Sequence, residues 1–89
     1  MVKLKYRFTT WAKCKYYYAV SNGKTLDLNV IISTKDRFGN QEVEIQAQSA
    51  EMDELLQDYS PYYSAGGFLQ CLGREEAMKK LEEIAERIA

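Results

Sequence analysis

The chain has 89 residues, of which 46% are hydrophobic and 28% charged, and its formal net charge is −1. That length fits one domain over residues 1–89 with one modest core, since a chain of this size buries only about 60–65% of its unfolded surface. The mixed-sign charge excludes a disordered chain. No apolar run approaches the roughly 20 residues of a membrane span and no signal-peptide core is present, so the expected location is the cytoplasm.

Val2, Leu4, Tyr6 and Phe8 alternate with Lys3, Lys5, Arg7 and Thr9. This period-2 pattern predicts a first strand over 2–10, apolar on one face and cationic on the other. Residues 14–20, rich in aromatic and β-branched types, predict a second strand. Asn22-Gly23 is a strong hairpin signal and leads into a third strand at 25–34. A polar turn around Gly39 follows, and then a fourth strand at 41–48, where Val43, Ile45 and Ala47 alternate with Glu42, Glu44, Gln46 and Gln48.

Two hairpin registers are open, and a one-residue slip between them exchanges the faces. A two-residue Asn-Gly turn sets Ala19 opposite Leu26 and Tyr17 opposite Leu28, with Tyr16, Tyr18 and Val20 outside. A three-residue loop with Gly23 left-handed instead gathers Cys14, Tyr16, Tyr18 and Val20 with Leu26, Leu28, Val30 and Ile32. The second register buries more apolar surface and is preferred. Its solvent face holds Lys15, Tyr17, Ala19, Thr25, Asp27, Asn29 and Ile31.

Ser49 is placed to cap a helix whose first turn carries Glu51, Asp53 and Glu54, acids that complement the helix dipole. Met52, Leu55, Leu56 and Tyr59 form its apolar stripe, and Ser60-Pro61 ends it. Tyr62 to Gly67 reads as a loop. A last helix runs from about Arg74 to Ile88, with a start nearer Phe68 also open, and turns Ala77, Met78, Leu81, Ile84, Ala85 and Ile88 to one side. Strands first and helices last predict an α+β fold: a four-stranded antiparallel sheet followed by two C-terminal helices packed on one face.

The chain has no histidine, so the commonest general base and metal ligand are both missing. No phosphate loop, zinc-type cysteine spacing or nucleophile elbow occurs. The reading is a non-enzyme with no cofactor, no metal and no small-molecule substrate. Cys14 and Cys71 read as buried free thiols. The glutamates of the last helix and of the fourth strand read as solvated charge.

Charge is unevenly placed. Residues 1–24 carry Lys3, Lys5, Arg7, Lys13, Lys15 and Lys24 and no acid, while the remainder holds all 13 acids. The same segment holds Tyr6, Phe8, Trp11, Tyr16, Tyr17 and Tyr18. Two unlike surfaces follow, which is a statement about partners. Cationic strands bearing aromatics make a small nucleic-acid-binding accessory domain the alternative reading. The net negative charge and the lack of an RNA-recognition consensus weigh against it, so direct nucleic-acid binding is not expected and a protein partner is preferred.

Lys5-Tyr6, Ala19-Val20, Asn22-Gly23, Leu72-Gly73-Arg74 and Ala77-Met78 occur in collinear order, and with them the chain resembles the small phage-encoded type I-F anti-CRISPR proteins that bind the Cascade backbone. The resemblance implies a phage inhibitor acting in the host cytoplasm, whose exposed sheet face contacts CRISPR effector subunits and blocks target-DNA hybridisation. Two tyrosines and a glutamate matter in that family. Tyr6 is the matching position, the second tyrosine falls at Val20 or Ser21, and the glutamate falls at Ile31. Joined with the preferred register, this gives Tyr6, Lys15, Tyr17, Asp27, Asn29 and Ile31 as the expected partner-binding set, Tyr6 joining if its strand presents it there.

Overall fold

A computed structural model describes residues 1–59, 63 and 67–88. Five strands, β1 (Val2–Thr9), β2 (Lys15–Ser21), β3 (Lys24–Ile32), β4 (Val43–Ala47) and β5 (Phe68–Cys71), form one antiparallel sheet in the order β1-β2-β3-β4-β5. Helix α1 (Ala50–Leu56), followed by a 3-10 turn at Gln57–Tyr59, lies between β4 and β5 in the chain, and α2 (Arg74–Ile88) closes it. The α+β class is as expected, but the sheet has a fifth strand. Phe68–Cys71 extends along β4 instead of opening the last helix, pairing Leu69 with Ile45 and Cys71 with Val43. A buried Leu69 and Cys71 flanking an exposed Gln70 gives those four residues a strand's alternation. The expected helix stop at Ser60-Pro61 and most of the expected 62–67 loop lie outside the described residues. Tyr63 makes an isolated bridge to Leu69.

The preferred hairpin register is overturned. Ser21 pairs with Lys24 and Val20 with Thr25, around a two-residue turn in which Asn22 (φ 51°) and Gly23 (φ 79°) are both left-handed. Two consecutive left-handed residues are the type I′ geometry, whose twist matches the flanking strands, and Asn-Gly satisfies it at little cost. Beyond the turn, a bulge shifts the pairing so that Tyr18 meets Asn29, Tyr17 meets Val30 and Tyr16 meets Ile31. Comparison of the pairs shows a shift of two residues, which preserves parity. The faces of the two-residue register therefore hold along all of β2. Burying Tyr16 and Tyr18 would have required partners for two hydroxyls, whereas Ala19 brings no polar atom inside.

One cluster unites the buried positions of the helices with one alternate set of sheet residues. Met52 and Leu56 of α1 and Ala77, Leu81 and Ile84 of α2 pack with Leu26, Leu28, Val30 and Ile32 of β3, Val43 and Ile45 of β4, and Leu69 and Cys71 of β5. Val2 and Ala19 complete it, with Leu4 and Tyr17 packed against its margin. Ser49 caps α1 as expected, its hydroxyl accepting the Met52 N–H at 3.1 Å. Glu76 ties the start of α2 to the β5–α2 turn, accepting the Leu72 N–H and bonding Lys80 at 2.6 Å.

The first strand also departs from strict alternation. Tyr6 pairs with Tyr17 and Phe8 with Tyr16, so Arg7 is an extra residue in a bulge. The bulge moves Phe8 to the side opposite Leu4 and Tyr6. The expectation that Tyr6 and Phe8 share a face with Leu4 is thus half wrong: Tyr6 stays and Phe8 crosses.

Candidate interaction face

The remaining alternate set of strand positions lies outside that cluster and defines the second face of the sheet. Its rows follow from the pairing. Phe8, Tyr16, Ile31, Glu44 and Gln70 form one row, and Lys5, Tyr18, Asn29, Gln46 and Phe68 form the next. Lys3, Val20 and Thr25 form a third, nearer the Asn-Gly turn. Alternation along β3 places Asp27 on the same side, between the inward Leu26 and Leu28.

The aromatic side chains here are held in place by one another. The rings of Phe8 and Tyr16 stack with centroids 4.6 Å apart and 15° between planes. The Arg7 guanidinium lies over the Tyr18 ring at 5.4 Å, a cation–π contact that the bulge makes possible. Ile31 is only 6% exposed yet is not part of the main core cluster, because its neighbours on this face cover it. Asn29 is 7% exposed, donates to Gln46 through a long 3.4 Å contact, and has no hydrogen-bond partner for Oδ1 among the described residues. Glu44 accepts from the Gln70 amide at 2.8 Å. Cations thus line the β1 edge, acids and amides line β3 and β4, and a ridge of rings lies between.

The six residues expected from sequence are divided by the sheet. Asp27, Asn29 and Ile31 lie on the second face. Lys15 and Tyr17 lie on the other side, Lys15 paired with the core residue Ile32 and Tyr17 half-buried against the core. Tyr6 sits on Tyr17's side at the sheet edge, 55% exposed, its ring edge-on to Tyr17 at 5.9 Å and its hydroxyl against that of Thr9. The structure therefore does not bring the six together. In place of Lys15 and Tyr17 the second face carries Phe8, Tyr16, Tyr18 and Val20. The β2 residues were legible from the Asn-Gly turn, which fixes parity. The crossing of Phe8 was not, since nothing in the residues around Arg7 marks a bulge.

The rest of the molecule offers little other chemistry. A groove of about 920 Å³ runs between the loop after β3 and the β5–α2 turn, lined in part by Lys35, Asp36, Glu42, Cys71 and Arg74. Its Asp36 is already engaged, accepting the N–H groups of Phe38 and Asn40. Burial pushes the Cys71 thiol up to about 11, with Glu76 adding to the rise and Lys80 opposing it, so it stays protonated at neutral pH. Cys14 is half-buried instead of buried as expected. Among the described residues no group of three His, Cys, Asp or Glu side chains is placed to hold a metal, and no helix is long and apolar enough to cross a membrane. Trp11, fully exposed, stands on the β1–β2 loop, which is tied by Thr10 N–H to Cys14 and Lys13 N–H to Thr10.

No family model matches the chain, and no curated protein or solved structure matches it either.

Proposed function

We propose that the protein is a non-enzymatic binding module that docks a protein partner on the second face of its sheet, the two helices packing on the opposite face and leaving this one free. One observation carries the reading: three rings and an arginine are gathered on a sheet face that contributes nothing to the main core. Aromatic and arginine anchors inside a rim of mixed charge are the composition of protein interfaces. Asp27 and Glu44 among those anchors disfavour a polyanion across the whole face.

The partner that the sequence resemblance supports is the backbone of a Cascade-type CRISPR surveillance complex, occluded so that target DNA cannot hybridise. Ile31, where that family's glutamate falls, is on the second face; of the two positions where its second tyrosine falls, Val20 is on that face with Tyr18 two residues away, and Ser21 is on the other. Tyr6 is not on it. The anchors of this chain are therefore Phe8, Tyr16 and Tyr18, with Arg7.

Purified type I-F Cascade provides the test, by binding and by inhibition of target-DNA hybridisation. Tyr18→Ala should weaken binding about tenfold or more, the ordinary worth of an aromatic anchor. An absence of Cascade binding by the intact chain, together with tight binding to bare DNA that falls steeply with salt, would sink the reading in favour of a nucleic-acid module.

A further inference from the structure

The second face separates its charges into two halves. Lys3, Lys5 and Arg7 stand on β1, whereas Glu44 stands on β4 and Asp27 on β3. The geometry points to a second copy of this chain as an occupant of that face, the two copies related by a twofold axis running parallel to the strands between β2 and β3. Rotation about that axis lays β1 of one copy over β4 of the other, and β2 over β3, twice over.

The cationic half of each copy then meets the acidic half of the other. Tyr16 of one copy comes above the side chains that cover the second copy's Ile31, and Phe8 comes above Glu44. Lys5 comes above Gln46 of the second copy, within side-chain reach of Glu44. Arg7, lying on Tyr18, comes above the β3 strand of the second copy, on the side of its Asp27 and Glu44. An axis over β2 instead would set Arg7 against its own counterpart, and like charges exclude it.

The area sets the strength. Four overlapping strands about 4.8 Å apart and about 23 Å long offer roughly 450 Å² of projected area per copy. Specific interfaces bury about 1,200–2,000 Å² in total, and twice that area, about 900 Å², falls below the range, so this pairing is weak and transient. Self-pairing covers the side chains assigned above to a partner and competes with it. It goes beyond the partner reading and is tested by mass alone.

Sedimentation equilibrium of the intact chain over about 10 µM to 1 mM should show a monomer–dimer equilibrium. Lys5→Glu and Glu44→Lys should each raise the dissociation constant about tenfold, since each places like charges together at two symmetry-related sites. An equimolar mixture of the two variants should recover the pairing, because the mixed dimer opposes unlike charges at both sites. A monomer at every concentration, or dimers of either variant as stable as the original, overturns the proposal. So does failure of the mixture to recover pairing. Loss of Cascade binding with the dimer intact would instead sink only the partner reading.

Discussion

Tyr16, Tyr17 and Tyr18 are the same side chain at consecutive positions, and the sheet gives them different work. Tyr17 packs against the core and edge-on to Tyr6, while Tyr16 stacks on Phe8 and Tyr18 lies beneath Arg7. Full truncation of a buried aromatic costs about 3–5 kcal/mol, so half-buried Tyr17→Ala should cost about 2–3 kcal/mol of stability. Tyr16→Ala and Tyr18→Ala should each cost about 1 kcal/mol, the scale of one ring pair or cation–π contact. Denaturant unfolding of the three variants decides this; a Tyr18→Ala as destabilised as Tyr17→Ala would contradict the face assignment. Alkaline pH gives a second residue-scale test. Burial raises Cys71 from about 9 to about 11, and burial, then the Asp53 hydrogen bond, raises Tyr63 from about 10 to about 12. Both groups keep their protons in the fold after the unfolded chain has lost them. Stability is thus fully present below pH 9 and declines as pH rises, through about 11 for Cys71 and about 12 for Tyr63. Melting temperature measured from pH 8 upward should fall, and Tyr63→Phe should flatten the upper part of that fall.

At the scale of elements, the hairpin turn and the α1 cap are local devices that a sequence displays openly. Gly23 is left-handed (φ 79°) and a Cβ there would meet nothing within 4 Å, so Gly23→Ala should cost only the backbone strain, about 1 kcal/mol. Ser49→Ala removes the acceptor for the Met52 N–H and should cost a similar amount, about 1 kcal/mol. Chemical denaturation of both single variants and the double is the check; the effects should add, because one acts at the β2–β3 turn and the other at the entry to α1. A neutral Ser49→Ala would mean the cap is dispensable. The fifth strand was not visible in this local way. Phe68, Leu69 and Leu72 recur with a spacing that also suits a helix, and no proline forbids one. The strand exists because β4 offers a free edge with Val43 and Ile45 awaiting cover, and Gly73, left-handed at φ 104°, then breaks the chain before α2.

For the molecule as a whole, the second face is a product of three separate events. The Asn-Gly turn set the parity of β2, the Arg7 bulge carried Phe8 across, and the helices joined the opposite alternate set in one core. Binding should follow that face and ignore the charge of the N-terminal segment taken alone. Lys15, exposed but on the other side, should be replaceable by alanine with no more than about a twofold change in affinity for Cascade, whereas Tyr18→Ala should lose about tenfold. Surface plasmon resonance on both variants separates the face from the segment, and a larger loss at Lys15 would return the site to the other side of the sheet.

The amino-acid pattern by itself determined the α+β class, four strands to within a few residues, the Ser49 cap, the last helix and the absence of histidine chemistry. These depend on interactions within a few positions along the chain: alternation, a two-residue turn, a capping hydroxyl, a 3.6-residue stripe. Only the tertiary structure decided which tyrosines face the core, where Phe8 points and that Phe68–Cys71 is a strand. Each of those turns on a comparison between alternatives of similar local energy. What separates them is a core that admits Ala19 but would leave tyrosine hydroxyls without partners, and a sheet edge more than twenty residues away in the chain.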